Sequence, residues 1–142
     1  MTAKLDNKYS PTPLHYLMFI LQQSSDELLQ GEIGVSLSHV RIMGALDYQV
    51  PSSQKAIATQ LRQTEANVSR QLLAMVRAGF VKVSKNKEDS RQRDVTLTAK
   101  GQRRYEGAEK TLKAQLNSLY KGLNKEEKRS LEDSINKVIK AV

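Results

Sequence analysis

Gln63-Thr64-Glu65-Ala66-Asn67-Val68-Ser69-Arg70-Gln71-Leu72 is the stretch on which the reading of this chain turns. Thr64 has the chemistry of a helix N-cap, because its hydroxyl can accept from an amide left unpaired at the helix start. Behind it Val68, Leu72, Met75 and Val76 recur at helical spacing and are expected to face a core. Glu65, Asn67, Ser69 and Arg70 are left pointing outward. A short helix presenting Asn, Ser and Arg suits base edges and phosphates in a major groove. Gly79 is the natural stop, since glycine accepts the left-handed backbone that closes a helix.

Downstream, Val81-Lys82-Val83-Ser84 and Asp94-Val95-Thr96-Leu97 alternate apolar and polar, the period of half-buried strands. Between them, Lys85 to Arg93 is too polar to bury and rich in cations. Upstream, Ser52 or Ser53 caps a short helix packed through Ile57, Ala58 and Leu61, and Arg62-Gln63 turn into the Thr64 helix. Two helices and a basic hairpin outline a winged helix-turn-helix.

The ends of the chain read as helices. Thr12-Pro13 opens the first, with a capping hydroxyl followed by proline at the first helical position. Its apolar stripe is Leu14, Leu17, Met18, Leu21 and Leu28, ending before Gly31. Ser36 or Ser38 begins a second helix through Tyr48, with Val40, Met43 and Leu46 inward. Thr98 caps a long helix carrying Tyr105, Ala108, Leu112, Leu116, Leu119 and Leu123 on one side. Asn124 and Glu127 form a capping-box pair before a last helix striped with Leu131, Ile135, Val138, Ile139 and Val142. A single small winged-helix core cannot cover all these stripes. A homodimer is therefore expected, with Leu14, Leu17, Leu119, Leu123, Leu131, Ile135, Val138 and Ile139 at its interface, against the alternative of an intramolecular bundle of the three helices.

Composition bounds the chemistry. The 142 residues suffice for one domain with a hydrophobic core. With no cysteine, disulfide frameworks, thiol catalysis and Cys-ligated zinc are excluded, which fits a cytoplasmic protein. Neither His15 nor His39 has a second histidine at ligand spacing. No cofactor or enzymatic constellation is expected: there is no phosphate-cradling glycine loop and no Ser-His-Asp spacing. The apolar run Leu14 to Leu21 is too short to span a bilayer, so no membrane partner is expected. Charge placement points elsewhere. Residues 52–104 hold twelve Lys/Arg against four Asp/Glu, and the rest of the chain holds eleven of each sign. The whole net charge of +8 thus falls on one segment, the footprint of a polyanion partner.

Asp89-Ser90-Arg91 followed by Val95-Thr96-Leu97-Thr98-Ala99-Lys100-Gly101 resembles the wing signature of the MarR (multiple antibiotic resistance regulator) family. Val68-Ser69-Arg70, Gly79-Phe80-Val81, Ile57-Ala58 and Val35-Ser36-Leu37-Ser38 resemble that family's other elements in order and spacing. Leu73, Val76 and Gln71 depart from its usual pattern. The resemblance implies a mainly α fold with a small β-wing: one domain over 1–142, with a DNA-binding lobe at 36–98 and dimerisation helices at 12–30 and 99–142. It further implies a homodimer binding double-stranded DNA at a pseudo-palindromic operator, as a repressor relieved by a small aromatic effector. The alternative is a sequence-tolerant architectural DNA-binding protein built on the same lobe.

On this reading Ser53, Gln54, Thr64, Glu65, Asn67, Ser69, Arg70, Gln71, Lys85, Lys87, Arg91 and Arg93 face DNA. Asp89 orients an arginine of the wing through a charge-assisted hydrogen bond. Tyr9, Tyr16, Phe19, Met43 and Tyr48 are candidates to line an effector pocket, against the competing reading of simple core packing.

Overall fold

The computed structural model describes residues 11–142. Six helices and a three-stranded antiparallel sheet follow in the order α1 (Pro13–Ile33), α2 (Leu37–Gly44), β1 (Ser52–Ser53), α3 (Gln54–Gln60), α4 (Glu65–Arg77), β2 (Val81–Lys85), β3 (Arg93–Leu97), α5 (Ala99–Leu119) and α6 (Lys125–Ala141). This is the mainly α winged helix-turn-helix expected from the sequence.

The caps explain most of the boundaries. Thr12, Ser36, Ser53, Thr64 and Thr98 each accept from the backbone amide three residues on, which satisfies a donor that the helix itself cannot. Asn124 and Glu127 complete their capping box in both directions. Gly34 and Gly79 lie at φ 66° and 80°, where an L side chain would be strained.

Other expectations are corrected. α1 runs through Gly31 to Ile33, and Leu29 rather than Leu28 is its fully buried leucine. α2 stops at Gly44 instead of Tyr48, although Leu46 still reaches the core from the following turn. α5 ends at Leu119, and a 3-10 turn (Tyr120–Gly122) leaves Leu123 in extended backbone outside the helix. Val76 is 43% exposed, because Val68, Leu72 and Met75 fill the line that faces the core and Val76 lies beyond its edge. Val83 is also exposed, so only β3 keeps the alternating burial expected of both strands.

The core gathers Leu29 of α1, Val35 ahead of α2, Val40, Ile42 and Met43 of α2, Ile57, Val68 and Met75 of the helix pair, and Val95 and Leu97 of the wing. α5 enters beneath it. A Cβ on Gly101 would overlap the Phe80 carbonyl oxygen and stand 2.7 Å from Leu97 Cδ1, so only glycine lets α5 start there. Thr98 Oγ1 fixes the same junction by donating to the carbonyls of Gly79 and Phe80 at 2.6 and 3.1 Å.

α1 and α5 run antiparallel. Ser25 Oγ donates to Gln115 Oε1, Gln115 Nε2 donates to Ser24 Oγ, and Arg104 donates to the Ile33 carbonyl at the other end. Beyond this clasp the helices are bare. Leu14, Leu17, Leu119, Leu131, Ile135, Val138 and Ile139 are all exposed, and α6 buries no residue at all. The terminal stripes therefore do not cover one another within one chain. No helix among the described residues is long and apolar enough to cross a membrane.

Candidate nucleic-acid interface

The turn between α3 and α4 aims the interface. Arg62 takes φ 53°, and the Gln63 amide donates back to the Ala58 carbonyl at 2.9 Å. The chain thus reverses within three residues and α4 leaves with Val68, Leu72 and Met75 inward. Ala66 and Arg70 are left exposed, with Ser69 half-buried beside them. Thr64 Oγ1 is spent on the Asn67 amide at 3.1 Å, so Thr64 acts as a cap.

Asn67 and Gln71 are less free than the sequence implied. Both side-chain amides donate to Gln63 Oε1 at 3.0 Å, and Arg70 Nη2 donates to Asn67 Oδ1 at 3.5 Å. Residues 63, 67 and 71 succeed one another at four-residue steps, which stacks them along one flank of α4. Gln71 Oε1 is buried without a partner. Such an orphaned acceptor costs on the order of 1–3 kcal/mol. Gln63, read from sequence only as a turn residue, is the hub of this flank.

β1 was not foreseen. Ser52 and Ser53 pair with Val95 and Asp94 of β3, which lies between β1 and β2. This pairing ties the start of α3 to the wing. Ser53, Gln54, Lys55, Glu65, Arg91, Gln92 and Arg93 consequently surround one hollow of about 130 Å³. Five of the expected interface residues meet there, together with Lys55 and Gln92, which had been overlooked. Across the ladder Lys85 stands directly opposite Arg93. Like charges so paired repel one another, and an anion between them removes the penalty.

The wing tip is held from within. Asp89 Oδ1 accepts from the backbone amide of Arg91 at 3.0 Å and from its Nε at 3.3 Å. The Arg91 side chain is 90% exposed, so this ion pair directs the guanidinium rather than stabilising the fold. Asn86 was also missed. Its Oδ1 accepts from the amides of Glu88 and Asp89, while its Nδ2 donates to both carboxylate oxygens of Asp94. Lys87, like Lys85, is exposed on the hairpin.

The expected effector residues do not assemble. Met43 is fully buried in the core, while Phe19 and Tyr48 are 50% and 41% exposed and Tyr16 is half-buried. Met43 follows Ile42 on the inward face of α2, which the core closes over. Tyr9 lies outside the described residues. A cavity of about 250 Å³ does open where α1, α2 and α5 meet, lined by Leu21, Gln22, Ser25, Leu37, Arg41, Leu112, Gln115 and Leu116. On α2, burial holds His39 below the ordinary histidine range, partly offset by the Asp26 carboxylate. Among the described residues no group of three or more His, Asp or Glu could hold a metal ion.

Residues 35–92 match the model of the MarR family. No curated protein matches the chain. Among solved structures, a crystal structure of MarR is similar with a TM-score of 0.82 at 16% identity, covering 92% of this chain and 97% of that one. The transcriptional regulator BldR from Sulfolobus solfataricus gives a TM-score of 0.76 at 17% identity, covering 91% of both chains. A Staphylococcus aureus MepR–DNA complex gives 0.74 at 19% identity, covering 91% of this chain and 95% of that one. Residues 35–92 are thus similar to the MarR family, and the chain as a whole shares the fold of the solved MarR structure.

Proposed function

We propose that this protein is a sequence-specific DNA-binding transcriptional regulator, a repressor that acts in the cytoplasm as a homodimer on a pseudo-palindromic operator. The observation that carries the reading is the concentration of all +8 net charge on residues 52–104. The fold joins this charge to an exposed helix face bearing Arg70 and to the hollow ringed by Arg91 and Arg93. Twofold symmetry would present two copies of α4, one to each half-site, with Arg91 of each wing reaching a flanking minor groove. Ser53, Gln54, Lys85, Lys87 and Arg93 supply phosphate contacts, which set register and on-rate. The structure of MepR in complex with DNA, on the same fold, supports the assignment.

Relief by a small aromatic effector is part of the same proposal, moved from the tyrosines to the cavity between α1, α2 and α5. A ligand there lowers DNA affinity only by its own preference for a dimer whose α4 helices are wrongly spaced.

Selection of bound sequences from random duplex DNA tests the reading. A recovered palindrome supports the regulator, and no enrichment supports the architectural alternative. Arg70→Ala is expected to weaken operator binding and relax the preferred sequence, whereas Arg91→Ala weakens binding. Parent affinity retained by both variants in a gel-shift assay would overturn the assignment of these residues.

A further inference from the structure

We propose that Gln63 and Asn67 are positioning residues that set the sequence preference of Arg70, so that operator specificity depends on a side chain outside the recognition helix. The inference rests on the regulator reading and deepens it. Gln63 lies one residue before the N-cap of α4, yet its Oε1 accepts from both Asn67 Nδ2 and Gln71 Nε2 at 3.0 Å. With Nδ2 held inward, Asn67 turns its Oδ1 towards Arg70 Nη2. An asparagine reading adenine needs its donor and acceptor aimed together at one base edge. Here the acceptor is directed at Arg70 and one donor hydrogen at Gln63.

Asn67 therefore serves as a brace and Arg70 as the reader, a guanidinium whose bidentate geometry matches the N7 and O6 of guanine. Gln71 adds a second line to the same hub and also donates to the Asn67 carbonyl at 3.4 Å, leaving its own Oε1 buried and unpartnered. A side chain held that way is committed to the network. Gln63 thus locks the flank of α4 from the turn, and Arg70 meets the groove with its freedom already reduced. Pre-ordering of this kind raises affinity for the matched base and leaves phosphate attraction untouched.

The test compares Gln63→Ala, Asn67→Ala and Gln63→Glu with the parent, by fluorescence anisotropy on the duplex selected by the parent and on a scrambled duplex of the same length. Asn67→Ala sits within α4 and introduces a better helix former, so it reports even should the turn variant fold poorly. Both alanine variants are expected to lose about tenfold in affinity for the selected duplex, and to lose the preference for guanine at the Arg70 contact. Their affinity for the scrambled duplex stays within about twofold, because the cations are unchanged. Gln63→Glu keeps acceptor oxygens for both amides, so it retains the parent's base preference with an equal loss on both duplexes. Unchanged preference in both alanine variants would overturn the inference, as would losses in those two variants that are equal on the two duplexes, which mark a merely structural role. A parent protein that does not distinguish the duplexes would overturn the regulator reading, and this inference with it.

Discussion

Both carboxylate oxygens of Asp94 accept from the side-chain amide of Asn86, at 3.3 and 3.1 Å, across the base of the wing. The same asparagine accepts from two backbone amides of the hairpin, so a single residue braces the loop that carries Asp89 and Arg91. Asn86→Ala should release this loop at a cost of about 0.5–1.5 kcal/mol in global stability, since the bonds are partly exposed. Hydrogen exchange at the Glu88 and Asp89 amides is expected to quicken, and DNA affinity to fall towards that of Arg91→Ala. Unaltered exchange at those amides would show that Asn86 does not hold the wing.

Two glycines of α5 make opposite predictions from one physical rule. Replacing a helical glycine by alanine gains about 1 kcal/mol in propensity. At Gly107 the new Cβ would lie 3.9 Å from Ile33 Cγ2, an ordinary contact, so Gly107→Ala should stabilise by about that amount. At Gly101 the Cβ meets the Phe80 carbonyl oxygen and Leu97, and backbone cannot step aside as a side-chain end can. Overpacking there costs about 1–3 kcal/mol or more and overrides the propensity gain. Denaturant midpoints of the two variants should move in opposite directions.

Gln71 exchanges stability for position. Its Oε1 is buried without a partner, whereas its Nε2 serves Gln63. Gln71→Leu removes the orphaned acceptor and places an apolar side chain at a half-buried position. Stability should rise by about 1 kcal/mol in denaturant unfolding. Discrimination between selected and scrambled duplexes should fall in the same variant. A loss of stability would show that the amide is better satisfied than this geometry implies.

His39 gives a pH dependence whose sign follows from burial. Its folded-state pKa lies below the ordinary 6.5, with desolvation the larger cause and the Asp26 carboxylate opposing it. The unfolded chain therefore binds this proton more readily. The contribution of His39 to stability is complete above pH 6.5 and is lost as the pH falls through the depressed folded value. Asp26 also accepts from the Leu37 amide at the start of α2, so the change is centred on that junction. Denaturant unfolding between pH 8 and pH 5, about the range in which histidine titrates, should show this loss, and His39→Gln should flatten it.

What the sequence made legible was local. A cap needs only an oxygen three residues before an amide, so Thr64, Thr98 and Asn124 could be read directly, and Ser36 and Ser53 each as one of two serines, and the fold class followed with them. β1 could not be read, because Ser52 and Ser53 carry no strand pattern and become a strand only by pairing with β3. Val76 lies outside the core because periodicity gives a stripe without its edges. Gln63 and Asn86 escaped notice for a different reason. Their roles lie in which way an amide turns, and that is decided by neighbours brought together in the fold.

The exposed stripe on α6 supports the most decisive prediction. A helix of 17 residues that buries nothing is marginal in water, since isolated helices of this length gain too little from propensity alone. Its capping box contributes about 1 kcal/mol, too little to hold the rest. Something must therefore cover Leu131, Ile135, Val138 and Ile139, and Leu14, Leu17 and Leu119 stand equally bare on the other terminal helices. The proposed homodimer would cover them, because a second copy of the chain carries the same surfaces. Ile135→Glu should yield a monomer at micromolar concentration by sedimentation, with a lower helical signal as α6 loses its cover. Lys137→Glu, at an exposed position on the polar side of that helix, should leave the dimer intact.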